Sequence, residues 1–102
     1  MIIRIMNDAL HEEVIMDYLV NAGDISILVE QKKVETKNRI IDQYIALRKK
    51  KGYSQEKIAE LTGIARTNIV RIESKMNVPT IEVLLKLATA LDMNLEINFV
   101  EK

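Results

Sequence analysis

The feature that most constrains the fold is a single glycine, Gly63, between two short segments with apolar residues at helical spacing. Residues 54–62 carry the first of these patterns and residues 66–75 carry the second. Glycine adopts the left-handed backbone conformation of a tight turn without the strain that a Cβ atom causes, and Ser54 is a favourable N-cap for the first segment. The sequence therefore predicts two short helices joined by a tight turn. Their predicted inward residues are Ile58, Ala59, Leu61, Ile69 and Ile72.

The outward face of the second short helix is rich in hydrogen-bonding groups and carries no acidic side chain. It is formed by Arg66, Thr67, Asn68, Val70 and Arg71. Such a face can enter the major groove of DNA, where Arg donates two hydrogen bonds to a guanine edge and Asn pairs in the same way with adenine. A solvated helix face is the alternative interpretation of the same residues.

Longer apolar patterns flank this pair of helices. A helix that begins near Glu35 ends in the basic run 48–51, because cations suit the negative end of the helix dipole. Gly52 follows as a C-terminal cap. A fourth helix is predicted to start after the N-cap Thr80 and to extend to Leu91. The predicted core residues of the two flanking helices are Ile40, Ile41, Tyr44, Ile45, Leu47, Ile81, Val83, Leu84, Leu87, Ala88 and Leu91.

The two ends of the chain carry weaker patterns. Residues 8–22 have the period of an amphipathic helix, residues 25–29 suit either a strand or a helix, and residues 2–6 suit a short strand. Residues 95–100 alternate between apolar and polar as a strand does. A lone strand leaves its backbone groups unpaired, so we expect it to pair with the same strand of a second subunit; residues 2–6 are the alternative. The predicted dimer interface is formed by Leu95, Ile97 and Phe99.

The segment SQEKIAELTGIARTNIVRIE (residues 54–73), followed by PTIEVLLKLATAL (residues 79–91), resembles the Xre family of lambda-repressor-like helix-turn-helix regulators. The resemblance covers residues 37–94 and implies a mainly α-helical bundle that binds operator DNA as a homodimer. The terminal strand resembles that of the HigA- and HipB-type antitoxins within this family. The chain departs from the family pattern at Ala65, where a Ser or Thr that caps the recognition helix is common.

The resemblance also implies roles for individual residues. It places the base contacts at Arg66, Thr67, Asn68 and Arg71, and the phosphate contacts at Ser54, Gln55, Lys75 and Asn77. Phosphate contacts fix the register of a protein on DNA, whereas base contacts carry the sequence information. Arg48 and Glu73 match a family pair that ties the first helix of the domain to the third, so we expect them to form a structural ion pair.

The formal net charge is zero, but charge is distributed unevenly along the chain. Residues 1–36 hold three basic and seven acidic side chains, whereas residues 37–94 hold eleven basic and six acidic ones. Because a phosphate backbone responds to local charge, the basic centre favours DNA as a partner. The acidic N-terminal third suggests an alternative function: an antitoxin that binds a basic toxin protein through this extension and represses its own operon.

Several classes of function are not expected. The chain has no cysteine and one histidine, which argues against a metal site and a cysteine nucleophile. The sequence contains neither a His–carboxylate constellation nor a phosphate loop, so we expect neither an enzyme nor a cofactor. No apolar run reaches the roughly 18–20 residues of a membrane span, so we expect a cytoplasmic protein. We predict three parts: an N-terminal extension over residues 1–34, a helix-turn-helix domain over residues 35–94 and a C-terminal dimerisation strand over residues 95–102.

Overall fold

The computed structural model describes residues 2–3 and 25–101, and the helix predicted over residues 8–22 lies outside this part of the chain. The described part is mainly helical, which confirms the predicted fold class. Its elements in chain order are β1 (Ile2–Ile3), α1 (Ile25–Lys50), α2 (Gln55–Thr62), α3 (Arg66–Glu73), α4 (Ile81–Ala90) and β2 (Glu96–Ile97). None of the helices in these residues is long and apolar enough to cross a membrane.

Helix α1 is longer than the sequence pattern indicates. It begins at Ile25 rather than near Glu35 and runs for 26 residues, about 39 Å at the usual rise per residue. Residues 25–29, which suit either a strand or a helix, are helical. The helix passes through the predicted division at residue 34 without a break, while its buried residues lie only in the second half, from Ile40 to Tyr44. The three-part division of the chain stays a prediction.

The turns form where the local residue types place them. Ser54 caps α2, since its hydroxyl oxygen accepts a hydrogen bond from the Lys57 backbone N–H at 3.0 Å. Gly63 ends α2 with a φ of 75°, and its N–H donates to the carbonyl of Ala59. Thr80 caps α4 in the same way as Ser54 caps α2, with the Val83 N–H as donor. These caps fix the two ends of α2 and the start of α4.

The four helices share one core. The buried residues of the described part are Ile40, Ile41, Tyr44, Ile58, Ile69, Ile72, Leu84, Leu87, Ala88 and Leu91. Two predicted core residues are wrong. Leu61 is about half exposed (48 %), because the packing of Ile58 and Ala59 against the core turns Leu61 away from it. Thr62, at the end of α2, is half-buried and donates its hydroxyl to the Ile58 carbonyl at 2.7 Å. Ile81 is also exposed, since it lies in the first turn of α4, ahead of the buried stripe that begins at Leu84.

The terminal strand pairs within the chain. β1 and β2 form a two-stranded parallel sheet with Ile2 opposite Glu96 and Ile3 opposite Ile97, so residues 2–3, which belong to the alternative source, supply the partner strand here and not a second subunit. Leu95 packs against the helical core, whereas Ile97 is half exposed and Phe99 is fully exposed. The three residues therefore do not share one buried face in the described part of the chain, and their role in a dimer interface stays a prediction.

Candidate nucleic-acid interface

Helix α3 presents the outward face that the sequence predicts. Ile69 and Ile72 are fully buried, and this fixes the rotation of the helix about its axis. Arg66, Thr67 and Arg71 are exposed as a result. The other two outward residues are the half-buried Asn68 and the exposed Val70. Four of these five side chains can form hydrogen bonds with base edges.

The first turn of α3 has no side-chain cap. The helix begins at Arg66, and Ala65 at the N-cap position provides no side-chain hydrogen bond. The first N–H groups of a helix have no partner within the helix and form its positive end. Arg66 and Thr67 therefore combine side-chain donors with a backbone end that favours negative charge.

The loop after α3 carries the two predicted phosphate contacts that lie furthest along the chain. Asn77 reaches back to α3, where its amide lies 3.4 Å from the Asn68 side-chain oxygen. Lys75 turns toward α1 instead, since its Nζ lies 2.7 Å from Asp42 Oδ1 and its carbonyl accepts from Lys37 Nζ at 2.8 Å. An ion pair at an exposed position contributes little energy, so a phosphate can compete for Lys75. The phosphate contact assigned to Lys75 stays a prediction.

The last residue of α3, Glu73, is the centre of a nearly buried polar network. Its Oε1 accepts from Arg48 Nη2 at 2.8 Å and from Gln55 Nε2 at 3.2 Å. Its Oε2 accepts from the Tyr44 hydroxyl at 2.9 Å. The side chains of Arg48 and Glu73 are 11 % and 7 % exposed, and Arg48 Nη1 also donates to the carbonyl of Tyr53 at 2.8 Å. Arg48 and Glu73 thus form the ion pair that the family resemblance implies.

This Glu73 network connects three helices. Arg48 and Tyr44 lie on α1, Gln55 is the first residue of α2 and Glu73 is the last residue of α3. A charge-assisted hydrogen bond is stronger than a neutral one, and low exposure limits competition by water. The network therefore holds the C-terminal end of α3 against α1 and orients Gln55. Sequence reasoning assigned Tyr44 to the apolar core and missed its hydroxyl, although a tyrosine on a buried helix face usually has a partner for that group.

The buried hydroxyl of Tyr44 leads to a prediction for alkaline pH. Burial raises the pKa of Tyr44, the negative charge of Glu73 raises that pKa further, and Arg48 opposes the shift. In the unfolded chain the group ionises near its ordinary value of 10.0, so above that pH the folded state binds more protons and the free energy of unfolding falls as the pH rises. Below that pH the contribution is fully present.

Urea unfolding from about pH 9 to about pH 11 measures this effect. We expect the Tyr44→Phe variant to lose less of its stability over this range than the wild type does. Tyr53→Phe is the matched control, because Tyr53 contributes only its backbone carbonyl to the Glu73 network. An equal decline in the wild type and in Tyr44→Phe would contradict the assignment.

The fold and the exposed face of α3 together define a helix-turn-helix protein. A family model described as helix-turn-helix matches residues 45–98, which is more than half of the chain, and the chain belongs to this family. The match confirms the resemblance to Xre-type helix-turn-helix proteins; the likeness to HigA- and HipB-type antitoxins stays a prediction.

One curated relative is the uncharacterized HTH-type transcriptional regulator YgzD of Bacillus subtilis (strain 168). It is 40 % identical over 50 residues, which cover 49 % of this chain and 76 % of the relative. No solved structure matches the chain.

Proposed function

We propose that this protein is a sequence-specific DNA-binding transcriptional regulator that acts as a homodimeric repressor. The observation that carries the proposal is the exposed face of α3, which has four hydrogen-bonding side chains and no acid, on a helix whose rotation is fixed by two buried isoleucines. The name of the relative, an HTH-type transcriptional regulator, supports the same function. The proposal includes no catalytic step and no cofactor.

The charges around α3 support DNA as the partner. The one acidic residue of α3 is Glu73, and its carboxylate is nearly buried and paired with Arg48. It therefore opposes the approach of a phosphate much less than an exposed carboxylate would. Arg66 and Arg71 remain exposed, and the domain around them has an excess of basic side chains.

In this proposal, the side chains of α3 read the bases, and residues at both ends of the motif hold the phosphates. Arg66, Thr67, Asn68 and Arg71 lie on or beside the exposed face and are the base contacts. Ser54 and Gln55 at the start of α2, with Lys75 and Asn77 after α3, are the phosphate contacts that set the register. A regulator of this kind acts where the chromosome is, so the cytoplasmic location is part of the same proposal.

A homodimer follows from the symmetry of such sites. Two-fold protein symmetry is matched by two half-sites about one turn of DNA apart, roughly 34–36 Å. Ile97 at the end of β2 and Phe99 just after it are exposed, and exposed apolar groups near a strand edge are a common place for a second subunit to bind. Leu95 packs against the helical core and so attaches the segment that contains Ile97 and Phe99 to the domain.

The experiment that tests the proposal is selection of binding sites from a random duplex library with the wild-type protein. We expect the selected duplexes to contain two related half-sites and to bind two chains, as measured by light scattering. The dissociation constant is expected to be about 10⁻⁸ M or lower at physiological salt and to increase steeply with salt. Selection without enrichment, or equal affinity for selected and random duplexes at each salt concentration, would contradict the proposal.

The antitoxin alternative stays a prediction. It depends on the acidic residues 1–36, of which only residues 2–3 and 25–36 belong to the described part of the chain. It predicts a neighbouring gene for a basic toxin and co-purification of its product with this protein. Deletion of residues 1–34 should abolish that co-purification.

A further inference from the structure

We propose that Tyr44 is a positioning residue for DNA binding: its hydroxyl holds the Glu73 carboxylate in the one orientation that presents the Gln55 amide to a phosphate. The inference rests on the proposed function, because it assigns Tyr44 a role in the phosphate contact of Gln55. Tyr44 lies on α1 and is 1 % exposed, so it cannot contact DNA itself and would act through Glu73 and Gln55.

The two oxygens of Glu73 have different partners. Oε1 accepts from Arg48 and Gln55, and Oε2 accepts from Tyr44 alone among the described residues. The plane of the carboxylate is therefore set by donors on two helices, with the tyrosine at one end and the glutamine at the other. Since the tyrosine ring is fully buried between helices, its hydroxyl has little freedom to move away.

Arg48 offers Glu73 a competing arrangement. Its Nε–H is buried and has no acceptor in the described part of the chain, while its Nη2 already donates to Glu73. Arginine commonly binds a carboxylate through two parallel hydrogen bonds, and Nε with Nη2 is one pair of donors that allows it. A carboxylate released from Tyr44 can rotate toward this pair. The bond that Tyr44 makes to Oε2 prevents that rotation.

The orientation of Glu73 decides which end of the Gln55 amide is available. A side-chain amide has an oxygen acceptor and a nitrogen with two donors. Glu73 Oε1 accepts one hydrogen from Gln55 Nε2, which leaves the second hydrogen of the same nitrogen for a phosphate oxygen. If Glu73 rotates toward Arg48, the amide loses the partner that defines its direction, and its oxygen is then free to face the phosphate and repel it.

The test is a double-mutant cycle on DNA affinity with Tyr44→Phe and Gln55→Ala. Phenylalanine keeps the ring in the core and removes only the hydroxyl. We expect Tyr44→Phe to weaken binding of the selected duplex by about three- to tenfold, the usual range for one hydrogen bond, and to have no further effect in the Gln55→Ala background. Tyr53→Phe is the matched control and should leave the affinity unchanged. The same loss in both backgrounds, or no loss in the wild-type background, would overturn the inference.

Nuclear magnetic resonance of the free protein tests the same step without DNA. In the wild type we expect one of the two Gln55 side-chain amide protons to lie downfield of its position in an unbonded glutamine and to exchange slowly with water, because it is bonded to Glu73. In Tyr44→Phe this proton should move toward the unbonded position and exchange faster. A Gln55 proton that already has the shift and exchange rate of an unbonded amide in the wild type would overturn the inference, whether or not Tyr44→Phe folds. A wild type that binds no DNA but shows the downfield Gln55 proton would contradict the proposed function and leave the positioning of Gln55 by this network standing.

Discussion

Replacement of both Arg66 and Arg71 by alanine is expected to weaken binding of the selected duplex by about 30-fold or more, because each bidentate contact between arginine and a base contributes roughly 1–3 kcal/mol. Both side chains are exposed, so the free energy of unfolding should change by no more than about 0.5 kcal/mol. Fluorescence anisotropy with labelled duplex measures the affinity, and urea unfolding measures the stability. The double variant should therefore lose affinity for DNA while its free energy of unfolding stays nearly unchanged.

A matched control separates base recognition from general charge. Lys33→Ala with Lys86→Ala removes the same two positive charges at exposed positions outside α3, where each lysine has only a long, exposed ion pair on its own helix. This control should cost little affinity for the selected duplex, and the double arginine variant should bind selected and random duplexes almost equally. Equal losses of affinity in the two double variants would show that Arg66 and Arg71 act only through their positive charge and do not recognise bases.

Replacement of Glu73 by alanine is expected to lower the free energy of unfolding by about 3–5 kcal/mol, the usual effect of leaving one member of a buried ion pair without its partner. Arg48 is only 11 % exposed, so its charge cannot be solvated fully when the carboxylate is removed. The Tyr44 hydroxyl and the Gln55 amide lose an acceptor at the same time. This loss is a large part of the roughly 5–15 kcal/mol that stabilises a domain, and urea unfolding measures it.

Two further variants serve as controls for the loss of stability expected in Glu73→Ala. Glu60→Ala removes an acid from an exposed position on α2, where its pair with Lys57 is 4.0 Å long, and should change the stability by about 0.5 kcal/mol or less. Glu73→Ala combined with Arg48→Leu removes the uncompensated charge and should recover part of the lost stability. Similar effects of Glu73→Ala and Glu60→Ala would show that the Glu73 network contributes little to folding.

The features that depend on near neighbours in the sequence were predictable. Ser54, Gly63 and Thr80 act on the backbone within four residues of themselves, and their chemistry alone places the ends of α2 and the start of α4. The rotation of α3 followed from Ile69 and Ile72 because two buried residues at helical spacing define one face. The exposed face of the candidate site was therefore evident from local pattern.

The features that depend on the approach of distant segments were not predictable in the same way. Tyr44 and Glu73 are 29 residues apart, and only the packing of α1 on α3 shows that the hydroxyl meets the carboxylate. The pairing of Lys75 with Asp42 has the same origin. Leu61 was misplaced because its spacing of three from Ile58 also fits a helix face, whereas the packing of Ile58 and Ala59 against the core turns the side of Thr62 inward.

The tight turn at Gly63 restricts which residue can occupy it through the backbone φ angle and not through the space available for a side chain. A Cβ atom at this position would meet nothing within 4 Å, yet the φ of 75° is one that L side chains rarely adopt. The same angle is favourable for the mirror-image residue. The backbone conformation of the folded turn therefore suits a D-alanine introduced by chemical synthesis, which would also restrict the unfolded chain, so the junction between the two helices of the motif is a place to stabilise the fold without altering any group that faces DNA.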